Sequence, residues 1–188
     1  MSAPTPKSFH RTLVQSAVCA GLALALLGTS PAGAAELIPS IGLTRAADSD
    51  ETKSNLGIAL RGDLAGPILQ TELGMSYRRE EYFDGAMKVS MIPVTVSLLA
   101  RPVPSLHAGA GVGWYHTKYT YENPLLDDET DQQFGVHVGG GLQVPVAPKL
   151  AVDLSGRYVF MKDQESKLIP ETFDPDFWTM TLGLAFKL

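Results

Sequence analysis

Along most of this chain, large apolar residues alternate with small or polar ones. The period is two rather than 3.6 in "SNLGIALRGDL", "ILQTELGMSYR", "SLHAGAGVGWYHTKYTY", "FGVHVGGGLQVPV", "LAVDLSGRYVF" and the closing "DFWTMTLGLAFKL". Alternation sustained in this way reads as strands with one apolar face. It predicts eight, over about residues 37–46, 54–64, 67–78, 87–101, 105–120, 132–145, 149–162 and 176–188. The fourth shifts phase near Pro93, which predicts a bulge or an edge-like irregularity there. The connections alternate too. "LAGP" (64–67), "PVPS" (102–105) and "VAPK" (146–149) are tight and carry proline. "ADSDETKS" (47–54), "RREEYFDGA" (78–86), "ENPLLDDETDQQ" (122–133) and "KDQESKLIPETFDPD" (162–176) are long and polar. Short turns on one side and long loops on the other describe an up-and-down meander, the pattern of transmembrane β-barrels.

Sorting each strand by parity gives two unlike faces. One carries Leu56, Ile58, Leu60, Leu73, Met75, Val94, Val96, Leu98, Val112, Trp114, Val136, Val138 and the stripe from Trp178 to Leu188. The other carries Arg61, Glu72, His107, His137, Asp153 and Arg157 among Gly, Ser and Thr. A soluble barrel would turn the apolar face inward. The interior of eight strands is just wide enough for side chains to fill, however. A few long charged groups among many small ones suit that interior, which puts the apolar face in lipid. Tyr77, Trp114, Tyr119, Tyr121, Phe134, Phe160, Phe177 and Trp178 gather at the loop-side ends, the place of an interfacial aromatic girdle.

The N-terminus changes the compartment. Lys7, His10 and Arg11 precede the short apolar run "AVCAGLALALLG", and Ala32-x-Ala34 offers a cleavage site. Residues 1–35 read as a secretory signal peptide, leaving a barrel domain over 36–188. Cys19, the single cysteine, lies inside the apolar run and leaves with it, so no disulfide supports the exported domain. From Glu36 onward there are 13 Lys and Arg against 20 Asp and Glu, which disfavours nucleic-acid binding. The four long connections hold 16 of those 20 acids.

With the signal peptide and eight alternating strands, "GAGVGWYH", "FGVHVGGGLQVPV" and "LGLAFKL" make the chain resemble the small outer-membrane β-barrel proteins of Gram-negative bacteria, the OmpA/OmpX-like barrels. The resemblance covers essentially all of 36–188. It implies an all-β, eight-stranded antiparallel up-and-down transmembrane barrel in the outer membrane. The implied partners are membrane lipid and lipopolysaccharide, the barrel-assembly machinery, and an extracellular ligand of the loops. It also implies that the last strand is an assembly signal, matched by Leu182, Gly183, Leu184 and Phe186. Leu188 departs, being aliphatic where an aromatic is usual.

Several chemistries compete with plainer readings of the same residues. Arg61, Glu72, Asp153 and Arg157, with Asp63, Lys187, His107 and His137, could line a water path or proton relay. The plainer reading is a paired network filling the lumen, because buried charges persist when partnered. Two histidines without a third ligand are a weak zinc signal. Gly109, Gly111, Gly113, Gly135, Gly139 and Gly141 either open a cavity for a hydrophobic molecule or make room for the guanidinium groups of Arg61 and Arg157. Asp127, Asp128, Glu129 and Asp131 cluster without the ordered spacing of a calcium loop. Outer-membrane lipid A deacylases carry a His-x-Ser pair; here His116 is followed by Lys118, and no G-x-S-x-G elbow occurs. The reading is a non-enzymatic scaffold without cofactor, in a structural or surface-interaction role. A narrow pore or a transporter of hydrophobic molecules is the alternative, and a lipid A-modifying enzyme comes third.

Overall fold

The computed structural model describes residues 35–47, 51–82, 87–121, 129–161 and 176–188. The signal-peptide expectation lies outside them apart from Ala35, as do most of the long loops. Eight strands run in chain order: β1 (Glu36–Ala46), β2 (Thr52–Asp63), β3 (Leu69–Tyr82), β4 (Met87–Val103), β5 (Leu106–Tyr121), β6 (Glu129–Ala147), β7 (Leu150–Met161) and β8 (Phe177–Lys187). Each pairs antiparallel with the next, and β8 returns to β1 to close a barrel. Closure leaves no strand edge unpaired, the one sheet arrangement that lipid tolerates.

The stagger follows from the register. One row of partners passes Leu150, Phe186, Leu37, Leu60, Leu73, Val96, Val112, Val136 and Phe160. It leaves β7 at Leu150 and returns to β7 at Phe160, ten residues nearer the loops. Such a stagger tilts the strands, typically by about 35–45° from the barrel axis. Every residue of that row is apolar, so it forms a hydrophobic spiral around the outer wall.

Burial is inverted relative to a soluble domain. Among the described residues, 15 polar or charged side chains are buried against 8 apolar ones, while 25 large hydrophobics are exposed. A water-soluble protein rarely exposes so much contiguous apolar surface. The wall faces hydrocarbon, and the polar face of each strand faces the lumen.

Three expectations need correction. No bulge forms at Pro93, which stays in register opposite Tyr115 on β5, but the ladder to β3 is interrupted at Ile92 and Pro93, the edge-like irregularity; the register shift of β4 lies between Ala100 and Val103, beside the turn. The apparent phase shift arises because Met91 and Leu99 are apolar yet buried inside. Phe177 is likewise interior, 5 % exposed, and Tyr119 shares the inward parity of Tyr115 and Thr117; neither belongs to the girdle. The side chain of Tyr121 lies outside the described residues. Tyr77, Trp114, Phe134, Phe160 and Trp178 do face outward, with Trp114 and Phe134 in an edge-to-face pair at 5.4 Å. At the tight β2–β3 turn, Gly66 has φ of 69°, the left-handed region that glycine enters without steric cost.

Candidate functional site

The lumen is built in layers, beginning at the turn end. There Gln143 Nε2 donates to Glu36 Oε2 at 2.7 Å, and Arg101 Nη2 donates to Gln143 Oε1 at 2.6 Å. Gln70 donates to Asp63 at 2.8 Å beside them. A small apolar cluster of Ile38, Ala151 and Ala185 packs in the same end, where the small side chains leave space for the polar ones.

Mid-height holds an ionic plug. Arg61 donates to Glu72 Oε2 through Nε (3.0 Å) and Nη2 (2.7 Å), and to Asp153 Oδ2 through Nη1 (2.8 Å). Arg157 donates to the other Glu72 oxygen, and Ser155 donates to Asp153. Arg61 and Glu72 are direct neighbours in the β2–β3 register. The Arg157–Glu72 bridge runs from β7 to β3, four strands apart in an eight-stranded ring, so it crosses the full diameter. Two guanidinium groups and two carboxylates make the plug formally neutral. Each carboxylate is shared or doubly bonded, which is what burial of charge demands. Arg61, Glu72 and Asp153 are each at most 3 % exposed.

The two histidines flank this plug without meeting. His137 Nε2 shares a hydrogen bond of 2.9 Å with Ser97 Oγ, and His107 Nε2 one of 3.3 Å with Ser155 Oγ. They stand in different rows, His107 opposite Gly141 and His137 opposite Gly111. Among the described residues no group of three or more His, Cys, Asp or Glu side chains is arranged to hold a metal.

The glycine face is filled by the protein itself. A Cβ on Gly111 would stand 2.6 Å from His137 Nε2, and one on Gly141 2.8 Å from His107 Nε2. A Cβ on Gly139 would meet Arg157 Cγ at 2.8 Å, and one on Gly135 the Tyr115 ring at 2.9 Å. The glycines therefore accommodate both histidines, Arg157 and Tyr115; Arg61 is not among the nearest neighbours of any of them. Gly111→Phe forces its ring into the His137–Ser97 contact. It is expected to lower stability by about 1–3 kcal/mol, measured as a shift of the urea midpoint of the refolded barrel.

Above the plug lies a chamber of about 90 Å³, lined by Thr44, Asn55, Thr95, Arg157 and Thr179 among others. Asn55 Nδ2 donates to Thr44 Oγ1 at 2.7 Å and Thr179 Oγ1 at 3.2 Å. Asn55 Oδ1, Tyr115 Oη and His137 Nδ1 have no protein partner there. The chamber far exceeds the roughly 10–15 Å³ that one water needs, so solvent is the natural partner for these atoms. Below the plug a gap of about 10 Å³ touches Glu72, His107, His137 and Arg157. An apolar cap of Met91, Tyr115, Val159 and Phe177 packs along one side of the loop end. Arg78 lies 4.7 Å over the Phe177 ring.

Sequence parity brought Arg61, Glu72, Asp153 and Arg157 to one face, and the barrel joins all four. Asp63 stays at the turn end, and Lys187 is exposed. Glu36, Arg101 and the apolar cap were missed. Glu36 has the parity of Ile38, whose apolar side chain hides the inward face of β1.

On the outer wall, Gly183 is inward and buried, whereas Leu184, Phe186 and Leu188 are exposed. His116 faces outward between Ile92 and Gln132 in the register.

Known proteins agree with this architecture. The family model of the outer membrane protein β-barrel domain matches residues 20–186. No curated protein matches the sequence. Among solved structures, Neisserial surface protein A is similar with a TM-score of 0.58 at 11% identity, over 82% of this chain and 97% of that one. Ail, the attachment invasion locus protein of Yersinia pestis, solved with the heparin analogue sucrose octasulfate, gives 0.56 at 15%, over 83% and 97%. OprG of Pseudomonas aeruginosa gives 0.56 at 12%, over 83% and 96%. At these identities the structural likeness speaks for the fold, and the family match speaks for membership. The chain belongs to the outer membrane protein β-barrel domain family, and it is an integral protein of the outer membrane.

Proposed function

We propose that this barrel is a non-enzymatic scaffold, exported by a leader over residues 1–35, that holds four acidic connections at the cell surface for interaction there. The observation that carries the reading is the Arg61–Glu72–Asp153–Arg157 plug. A transporter needs a path through the lumen, whereas the Arg157–Glu72 bridge spans the lumen at mid-height. Enzymatic readings lack support in the residues: His116, the outward histidine, has Lys118 where a deacylase would place serine.

Ail was solved with a polysulfated ligand, but the loop end here has the opposite sign. Its four connections carry 16 acids against Lys53, Arg78, Arg79, Lys162 and Lys167. Such a field favours cationic partners, or anionic ones bridged by divalent cations, and repels a sulfated sugar. The test has two arms, both on the mature protein refolded in lipid. In planar bilayers it is expected to give no unitary conductance. On vesicles, a cationic peptide such as oligolysine is expected to bind and to dissociate as salt rises from about 0.01 to 0.15 M, where the Debye length falls from roughly 30 to 8 Å. Steady conductance would replace the scaffold reading with the pore; preferential binding of heparin over oligolysine would overturn the partner chemistry.

A further inference from the structure

The chamber above the plug is lined by more hydrogen-bond donors than the protein itself satisfies. Among the described residues Arg157 makes one hydrogen bond, through Nη2 to Glu72, and its side chain is 25 % exposed. Its Nη1 lies beside Gly74, another lining residue, where an added Cβ would still stand 3.8 Å away. Tyr115 and His137 line the same chamber, each 2 % exposed, and Tyr115 Oη and His137 Nδ1 have no protein partner. With the Ser97 hydroxyl donating to His137 Nε2, the ring proton sits on Nδ1, so that atom is a donor too. The charge of Arg157 reaches both Tyr115 and His137, which places the three groups in one neighbourhood.

The acceptors nearby are already engaged. Glu72 receives Arg61 on one oxygen and Arg157 on the other, and Asp153 receives Arg61 and Ser155. The unpaired acceptor of the chamber, Asn55 Oδ1, is turned to Gly42, where an added Cβ would stand 2.7 Å from it. The charges point the same way. Arg61, Arg78 and Arg157 line the chamber against Glu72 and Asp153, three cations to two anions among the described residues. Arg78 has contacts of its own, the Phe177 ring among them, and adds only its charge. Unsatisfied donors beside a guanidinium group, in a space of about 90 Å³, call for a small anion. Val159 and Phe177 of the apolar cap line the chamber as well, so one side of it is apolar.

We propose that the chamber binds a short monocarboxylate of about the size of acetate. Its carboxylate lies between Arg157, Tyr115 Oη and His137 Nδ1, and its alkyl end against Val159 and Phe177. The planar guanidinium fork matches a carboxylate, and the ligand takes the place of the solvent that otherwise meets these donors. The acidic loop end repels an anion in proportion to its charge, so a single charge enters where a polyanion is turned away. This goes beyond the scaffold reading and asks nothing of the loops' own partner.

The test uses the mature protein refolded in detergent micelles, with acetate as the probe. Saturation transfer to the acetate methyl is followed by NMR, with empty micelles as the blank. Saturable binding with a millimolar Kd is expected, as suits so small a ligand. Tyr115→Phe keeps the ring and removes only the unpartnered hydroxyl. It should weaken binding about ten-fold, the loss of one hydrogen bond to a charged group. Arg157→Lys keeps the charge without the fork and should weaken it as well. Methylammonium should not bind, chloride at equal concentration should displace little acetate, and pivalate, too bulky for the chamber, should not compete. No saturable binding to the parent protein overturns the proposal. An unchanged Kd in both variants overturns the site, and competition by pivalate overturns the chamber as its place. Displacement by chloride as effective as by acetate itself overturns the carboxylate class. Heat-dependent gel mobility is followed in every variant, and if Arg157→Lys loses it, Tyr115→Phe alone decides. Conductance in planar bilayers bears on the scaffold reading and leaves this site standing.

Discussion

Replacing Glu72 by alanine is expected to destabilise the refolded barrel by about 3–5 kcal/mol, the cost of stranding a buried charge. Glu72 is 1 % exposed and accepts from two arginines on opposite walls. Without it, Arg61 retains Asp153 alone, and Arg157 loses the carboxylate that holds it across the lumen. Glu72→Gln keeps the volume and one acceptor but not the charge, so an intermediate loss is expected. The measurement is equilibrium urea unfolding in lipid vesicles, followed by tryptophan fluorescence and by the unheated gel band. Removing the whole set together is a different experiment. Arg61→Met, Glu72→Leu, Asp153→Leu and Arg157→Met in one chain leaves no orphaned charge, and buried ion networks replaced in this way often lose little. The combined variant should therefore be more stable than Glu72→Ala. If Glu72→Ala costs under 1 kcal/mol, the plug is solvated rather than buried, and the lumen is wetter than the hydrogen bonds imply.

The barrel was legible because its physics repeats. A period of two fixes which side chains share a face, and three tight turns against four long connections fix the order of strands. Arg61 and Glu72 were readable as neighbours, since the short "LAGP" turn leaves little freedom in the β2–β3 register. Arg61–Asp153 and Arg157–Glu72 were not. Those bridges cross the lumen, and which residues meet there depends on barrel radius and stagger, neither of which a strand carries in its own sequence. The apolar cap failed for another reason. A parity rule that sends apolar residues outward misplaces Met91, Val159 and Phe177, which pack together inside the loop end. The glycines on β5 and β6 announced close approach, but their partners became visible only when His107 and His137 were placed over them.

Removing Leu182–Leu188 is expected to abolish the heat-modifiable barrel altogether. These residues supply the Ile41↔Leu182, Ser40↔Gly183, Leu37↔Phe186 and Glu36↔Lys187 pairs on one side and Leu150 to Leu154 on the other. Their loss leaves backbone groups of β1 and β7 facing hydrocarbon, and each unsatisfied group there costs several kcal/mol. No other part of the wall can supply them, because β2 to β6 are already paired on both edges. The assembly-signal proposal for Gly183, Leu184, Phe186 and Leu188 needs a separate test, since truncation removes closure and signal together. Leu188 is 70 % exposed, and its backbone N–H donates to Ala35 O at 2.9 Å, a contact that any side chain preserves. Leu188→Phe should therefore refold in vitro like the parent and assemble in cells at least as well. Phe186→Ala should refold in vitro with modest loss yet accumulate unassembled in cells. Gly183 has a packing role besides, as an added Cβ would stand 2.8 Å from Ile38 Cγ2, so its substitution should impair both. A truncated chain that still shows the heat-dependent shift would overturn the closing role of β8. A Phe186→Ala protein that assembles in cells as well as it refolds would separate the strand's pattern from recognition and leave closure as its only task.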